Sequence, residues 1–257
     1  MSTAFFYLLC VVIASRLLLM LENQAQRPRV LLTITAVQLA GLSLLRPGWA
    51  MFVLAAVIIL INLGGYLAEW RWPREIDGIR IIVLIGLFVA LNIACSPRIH
   101  LAFNGPLLTA IRLTIAPYVL VFAAAGHLPI HRVLVVLAGW LLLLNEVNIV
   151  IRLLLRSLGM SPPVNPETKP REHHRIATPV SDAREWNTGR VIGLLERTIV
   201  YTLVLYSQFT AIGFILAAKS FARFKDLDDR LFAEYVLIGT LLSASSAVLL
   251  GLLMANL

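Results

Sequence analysis

The amino-acid sequence predicts an all-α, polytopic integral membrane protein, and its composition and patterning carry this prediction. Of the 257 residues, 59% are hydrophobic and only 14% are charged, and the mean hydropathy is +0.85. Soluble domains contain about 25% charged residues. Long apolar runs recur along the chain and are interrupted by prolines and charges. A soluble fold of this size cannot bury so much apolar surface, so lipid must cover much of it.

Apolar segments approach the roughly 20 residues that a helix needs to cross a bilayer at eight places in the chain. They are 4–21, 30–45, 49–68, 79–95, 107–126, 130–151, 198–218 and 233–254. The fifth segment contains Arg112 and Pro117, so a broken or re-entrant helix is the alternative there. We expect about eight transmembrane helices, with six or seven as the alternative count.

Residues 157–189 differ from the rest of the chain. The segment has no apolar period, and five prolines alternate in it with charged and polar residues. Such a composition predicts a solvated linker. The linker divides the chain into an N-terminal transmembrane bundle, residues 1–156, and a C-terminal two-helix membrane unit, residues 190–257.

Two further patterns occur in the C-terminal unit. Near 219–232, aromatic and aliphatic residues recur at helical spacing opposite charged residues, which predicts an interfacial amphipathic helix. The last segment carries one small residue at every fourth position, and we call this set the small-residue ladder: Gly239, Ser243, Ala247 and Gly251. The ladder predicts close approach of another helix. The preferred partner is the preceding span, through Gly213 and Ala217, and the alternative is a second copy or another membrane subunit.

Basic residues give conflicting information about orientation. The formal net charge is +8, which in a membrane protein favours anionic lipid headgroups as partners, and we expect no nucleic-acid partner. Basic loops after the first, third and seventh segments place both termini outside if all eight segments cross. The basic stretches 152–190 and 219–230 contradict this arrangement, because only one segment separates them. A re-entrant segment 190–219 is the alternative.

Seven charged residues within or beside apolar segments form the candidate site, since such groups are costly to dehydrate unless they pair, line water or function. They are Glu146, Arg152, Glu196, Arg197, Lys219, Arg223 and Glu234. Glu196 and Arg197 have two interpretations: helix-end charges at the membrane interface, neutralised by lipid phosphate or by each other, or a buried polar site in which Glu196 pairs with Lys219, Arg223 or Arg152. The preferred interpretation of Glu146 is interhelical pairing, and the alternative is a proton- or cation-binding group. Arg16 is interpreted as snorkelling to lipid phosphates.

No catalytic, cofactor or metal site is predicted. Adjacent His173 and His174 lack the spacing of zinc ligands, and Cys10 and Cys95 lie within apolar runs. Phosphate-binding loops and nucleophile motifs of soluble enzymes do not occur in the sequence.

Three C-terminal motifs resemble the signature of a family of bacterial inner-membrane proteins that share a domain of unknown function. They are Gly-x-x-Ile-Gly-x-Leu-Glu-Arg at Gly189–Arg197, Ala-Ala-Lys-Ser-x-x-Arg-Phe at Ala217–Phe224, and Glu-Tyr-x-x-Ile-Gly-Thr-Leu-Leu-Ser at Glu234–Ser243. The resemblance covers residues 187–243. It implies a multi-pass location in the bacterial inner membrane and a shared C-terminal unit.

Many members of that family also carry an N-terminal His-x-x-x-Asp element, which links them to predicted membrane-bound hydrolases. This chain lacks the element, because its first histidine is His100 and the residue four positions later is Asn104. The resemblance therefore does not imply hydrolase chemistry here.

Three functional hypotheses follow. The first is a non-enzymatic transport, channel or effector-like component with an intramembrane charged cluster. The second is a membrane-embedded enzyme that acts on lipid or polyprenyl phosphates and uses arginines to hold the phosphate. The third is a structural subunit of a membrane complex or homo-oligomer, docked through the ladder.

Overall fold

A computed structural model describes residues 2–21, 28–96, 99, 101, 103–105, 129–159, 180–222 and 230–257. Within these ranges the chain is helical, apart from connecting loops and one isolated antiparallel bridge between Leu45 and Phe103. The helices of the described residues are α1 Thr3–Arg16, α2 Leu18–Leu21, α3 Pro28–Leu42, α4 Trp49–Arg71, α5 Ile76–Ala94, α6 Ile130–Leu144, α7 Glu146–Ser157, α8 Val180–Leu205, α9 Phe209–Ala222 and α10 Arg230–Asn256. The predicted all-helical fold is confirmed over this part of the chain.

Within the described residues, four helical segments are long and apolar enough to cross a membrane, as expected of a membrane protein. They are Trp49–Arg71, Ile76–Ala94, Ile130–Ser157 and Leu237–Asn256. The prediction of about eight spans is not supported. Helices α1 and α3 are apolar but have only 14 and 15 residues. They rise about 22 Å, which is less than the roughly 30 Å of the hydrocarbon layer. Predicted segment 107–126 lies outside the described residues.

The chain forms two compact units, residues 1–149 and residues 150–256. The sequence placed the division in a linker at 157–189, but residues 180–189 belong to α8. The predicted interfacial helix near 219–232 lies mainly outside the described residues. Lys219 belongs to the end of α9, and α10 begins at Arg230.

Helix α1 is the central helix of the first unit. Its mean hydropathy is high and its polar residues favour no one side, and ten of its 14 residues are buried. A helix that is apolar all round is covered by other helices. Accordingly α1 packs against α3, α5 and α6. Phe5 meets Phe88 of α5 edge to face, with ring centroids 5.6 Å apart.

Helices α8 and α9 form a hairpin in the second unit, so the predicted single span 198–218 is wrong. Helix α8 ends at Leu205 and the chain reverses at residues 206–208. Ser207 has φ 57°, its N–H donates to the carbonyl of Val204, and the N–H of Gln208 donates to the carbonyl of Leu203. These two bonds close a helix with a left-handed residue after its C-cap. Glycine usually occupies this left-handed position, but here it is serine, so the sequence contained no signal for the turn.

Helix α10 packs against α8 and runs parallel to it. Arg197 of α8 contacts Ser243, and Val204 of α8 lies against Gly251, so the residue numbers advance together along both helices. Ser243 and Gly251 of the ladder therefore contact a preceding helix of their own chain, as preferred from the sequence. Gly251 makes this contact with Val204. Gly213, the predicted contact residue, is not involved, because a Cβ added to it would meet nothing within 4 Å.

Replacing Ser207 with glycine is expected to raise the free energy of unfolding by about 1 kcal/mol, because glycine adopts the left-handed conformation without a Cβ penalty. Ser207→Pro is expected to lower it, because proline fixes φ near −65° and lacks the N–H that bonds Val204. Thermal unfolding in detergent would measure both changes. A lower midpoint for the glycine variant would contradict the assigned turn.

Gly251→Ala is expected to lower the free energy of unfolding by about 1–3 kcal/mol, because overpacking at this contact forces backbone shifts. The new Cβ would lie 2.7 Å from Val204 Cγ1. Gly239→Ala is the matched control on the same ladder, where a Cβ meets nothing within 4 Å. Its midpoint should stay equal or rise, and equal losses in both variants would rule out the α8–α10 contact.

Candidate functional site

A buried ion pair joins α1 to α7 in the first unit. Arg16 Nε donates to Glu146 Oε1 at 2.6 Å, and Arg16 Nη2 donates to Glu146 Oε2 at 3.2 Å. The two side chains are only 4% and 5% exposed. Two parallel charge-assisted hydrogen bonds make this the strongest geometry that an arginine and a carboxylate can adopt.

The ends of two helices hold this pair. Arg16 lies in the last turn of α1 and Glu146 in the first turn of α7, so each charge has the sign that its helix end favours. Asn145 interrupts the helix between α6 and α7. Its Nδ2 donates to Glu146 Oε1 at 3.1 Å and to the carbonyl of Arg16 at 3.5 Å. The break in the helix thus brings an amide to the ion pair.

A second ion pair ties the ends of α4 and α5 to the first. Arg80 Nε donates to Glu69 Oε1 at 3.1 Å, and both side chains are 11% exposed. The backbone carbonyl of Arg80 accepts a 2.9 Å hydrogen bond from Arg16 Nη2. We call Arg16, Glu69, Arg80, Asn145 and Glu146 the N-terminal charge network. Among the described residues, no buried side-chain nitrogen or oxygen is left without a partner.

Uncharged polar side chains continue from Arg16 into the bundle. Gln38 Nε2 donates to Ser15 Oγ at 2.9 Å, and Ser15 Oγ donates to the carbonyl of Val12 at 2.7 Å. Asn62 Nδ2 donates to Gln38 Oε1 at 2.7 Å and to Thr35 Oγ1 at 3.2 Å. These bonds link α1, α3 and α4. Gln38 and Asn62 are therefore interhelical hydrogen-bonding residues.

A crevice of about 50 Å³ lies beside both groups of polar residues. Its polar lining comprises Arg16, Asn62, Tyr66, Glu69 and Arg80. Asn62 lies seven residues before Glu69 on α4, so the crevice reaches about 10 Å along that helix. Leu54 and Ile58, further along α4, are buried apolar residues. The polar path therefore ends within the bundle.

The second unit contains a smaller charged cluster between α8, α9 and α10. Lys219 Nζ donates to Glu196 Oε2, and Arg197 Nε donates to Ser243 Oγ at 2.6 Å. The side chains of Lys219 and Glu196 are 21% and 25% exposed. Glu196 thus contacts one of its three predicted partners. A crevice of about 20 Å³, the size of one water molecule, lies among these residues.

Three of the predicted site residues lie together in the second unit. Glu196, Arg197 and Lys219 lie together, while Arg152 and Glu234 are exposed on α7 and α10. Arg223 lies outside the described residues. Glu146 is paired, as preferred from the sequence, and its partner in the structure is Arg16, 130 residues earlier.

The snorkelling interpretation of Arg16 is wrong, because the residue is 3% exposed. Sequence reasoning also missed the Glu69–Arg80 pair. One signal was available for Arg16. A helix that is apolar on every side is expected to lie inside a bundle, and its single charge then needs a buried partner.

The chain matches no protein-family model, and neither the curated proteins nor the solved structures include a similar protein. The family resemblance of residues 187–243 therefore stays a prediction. The fold and the site define the class of protein: all-helical over the described residues, with four helices suited to a membrane and a buried charge network in its first unit.

Glu146→Gln is expected to lower the free energy of unfolding by about 3–5 kcal/mol, because it leaves the Arg16 guanidinium buried without an anionic partner. The double variant Arg16→Met/Glu146→Leu should recover more than half of that loss, since it removes both charges. Exposed Glu75→Gln is the control. Thermal unfolding in detergent measures all three. A double variant no more stable than Glu146→Gln would mean that the two charges do not depend on each other.

Proposed function

We propose that this protein is a multi-pass transport or channel component of a bacterial inner membrane, and that its N-terminal charge network handles the transported ion. The observation that carries the proposal is the Arg16–Glu146 pair, which is almost fully buried among apolar helices. Four helices suited to crossing a membrane support the membrane location. The bacterial inner membrane is supported by the C-terminal resemblance alone.

Stability does not account for the buried pair. Well-packed apolar residues in place of a buried ion pair are often as stable or more stable, because burial costs both charges their hydration. In membrane segments, ionisable groups that face the bundle interior typically mark ion and proton pathways. The same expectation applies to Glu69 and Arg80, which pair beside the first two charges.

The crevice gives the network access from one side. Glu69 and Arg80 lie next to the short connection between α4 and α5, which contains Arg74 and follows Arg71. Basic connections face the cytoplasm, so the crevice opens toward the cytoplasm. Its inner end meets the apolar part of the bundle beyond Asn62. One-sided access is the state expected of a closed carrier or channel.

Proton uptake by Glu146 supplies a mechanism for a change of state. A neutral carboxyl group no longer balances Arg16, so the guanidinium becomes attractive to an anion in the crevice that it lines. Loss of the proton restores the pair and expels the anion. Glu146 and Arg16 thereby couple proton binding to anion binding.

A membrane-embedded enzyme acting on lipid phosphates is the second candidate. Two guanidinium-bearing residues, Arg16 and Arg80, line the same crevice, and arginine suits phosphate recognition. Both guanidinium groups already form ion pairs with carboxylates. They are therefore less available to hold a phosphate than to form a pair that opens and closes. The structural-subunit hypothesis is weaker still, because Ser243 and Gly251 of the ladder are used within the chain.

Proteoliposomes containing the protein are expected to pass protons and chloride faster than protein-free liposomes, as measured with an internal pH dye and a chloride-sensitive dye under a potassium-valinomycin potential. Glu146→Gln should reduce both fluxes at least tenfold, while exposed Glu75→Gln keeps them. Size-exclusion chromatography before reconstitution checks that each variant is folded. Fluxes equal to those of empty liposomes for the parent protein would refute ion transport of this kind.

A further inference from the structure

We propose that residues 191–221 form a re-entrant hairpin, which enters and leaves the bilayer at one face while α10 crosses it completely. The lipid acyl chains of the bilayer are the partner of its outer surface. This inference uses only the second unit, so it does not rest on the ion-transport proposal. Its basis is the reversal at Ser207 together with the register of α8 against α10.

The register of α8 against α10 gives the depth of the hairpin in the bilayer. Arg197 is level with Ser243, and Val204 is level with Gly251. The same offset puts Val191 level with Leu237, where the crossing segment Leu237–Asn256 begins. The α8 residues from Val191 to Leu205 therefore start at the same membrane face as that segment and rise about 22 Å.

The reversal then lies short of the opposite face. A rise of about 22 Å within a hydrocarbon layer of roughly 30 Å leaves about 8 Å. Helix α10 extends beyond this level, because it continues from Gly251, which is level with Val204, to Asn256. Five residues of helix correspond to about 8 Å.

Exposed side chains show which surfaces meet lipid. Val191, Leu195 and Ile199 follow one side of α8 at four-residue spacing and are 53%, 58% and 48% exposed. Phe214 and Phe221 of α9 are 75% and 79% exposed. Glu196, Arg197 and Lys219 of the same helices line the crevice among α8, α9 and α10. A membrane-embedded hairpin is expected to have apolar side chains on its outer surface and charged side chains on its inner surface.

The backbone of the turn is also compatible with hydrocarbon, where free N–H groups are costly. The N–H groups of Tyr206, Ser207 and Gln208 donate to the carbonyls of Thr202, Val204 and Leu203. The side-chain amide of Gln208 adds a 3.4 Å bond to the carbonyl of Tyr206. At the base, Glu196 and Lys219 pair across the two arms, which holds the arms together.

A hairpin of this kind removes the conflict in the distribution of basic residues. Stretches 152–190 and 219–230 are both basic and are separated by residues 191–218. If that segment returns to its own side, both stretches face the cytoplasm, as the positive-inside rule requires. The end of α10 then faces the opposite side.

Single cysteines in a Cys10→Ala/Cys95→Ala background test this topology with a membrane-impermeant maleimide, applied to right-side-out and inside-out vesicles. The charged positions Arg175 and Lys225 flank the hairpin in sequence, Gln208 lies in its turn, and Asn256 ends α10. Arg175→Cys and Lys225→Cys should react from the same face. Asn256→Cys should react from the other, and Gln208→Cys at least tenfold more slowly than Asn256→Cys.

Three results would overturn the proposal. Reaction of Arg175→Cys and Lys225→Cys from opposite faces would mean a single crossing. Reaction of Asn256→Cys from the same face as both would mean that α10 does not cross. Equal rates for Gln208→Cys and Asn256→Cys would mean that the hairpin reaches the far surface. Denatured samples provide the full-labelling reference, and none of these outcomes depends on whether the protein moves ions.

Discussion

An ionised side chain among helices this apolar requires an opposite charge within hydrogen-bond reach, and Arg16 and Glu146 meet this requirement for each other. Much of the first unit is arranged around their contact. Helix α1 ends at Arg16, the long helix from Ile130 breaks at Asn145 to supply an amide, and α5 supplies a backbone carbonyl. Each of these features gives a hydrogen-bond partner to a polar group that would otherwise be unsatisfied. The apolar remainder of α1 then packs on three sides without further polar demands.

The two units accommodate their ionised side chains in the same way. In each, charged residues pair on the inside, and large apolar residues such as Phe52 and Phe214 are exposed on the outside. So many exposed large apolar residues are unusual for a soluble protein and suit a surface that lipid covers. The reversal at Ser207 is consistent with such surroundings, because the N–H groups of Tyr206, Ser207 and Gln208 all donate to carbonyls of α8.

The cost of separating two charges connects the Arg16–Glu146 pair to the proposed function. An arginine with a carboxylate partner is neutral as a pair and stable in apolar surroundings, whereas either group alone is strongly unfavourable. A proton is the smallest ligand that can shift this balance, since it neutralises the carboxylate without entering a pore. In the proposed transport mechanism, the crevice that reaches both Arg16 and Glu69 would be the path of the ion.

The sequence by itself determined the helical class and the long apolar helices. The expected segments 49–68 and 79–95 closely match Trp49–Arg71 and Ile76–Ala94, because prolines, charges and apolar runs act over a few neighbouring residues. Only the tertiary structure decided that Glu146 pairs with Arg16, from which it is separated by 130 residues, and that residues 198–218 reverse at Ser207. Composition shows that a buried charge needs a partner, but many arginines meet that need equally well in sequence. Packing selects one, because only one arginine is brought within hydrogen-bond reach when α1 takes its central place.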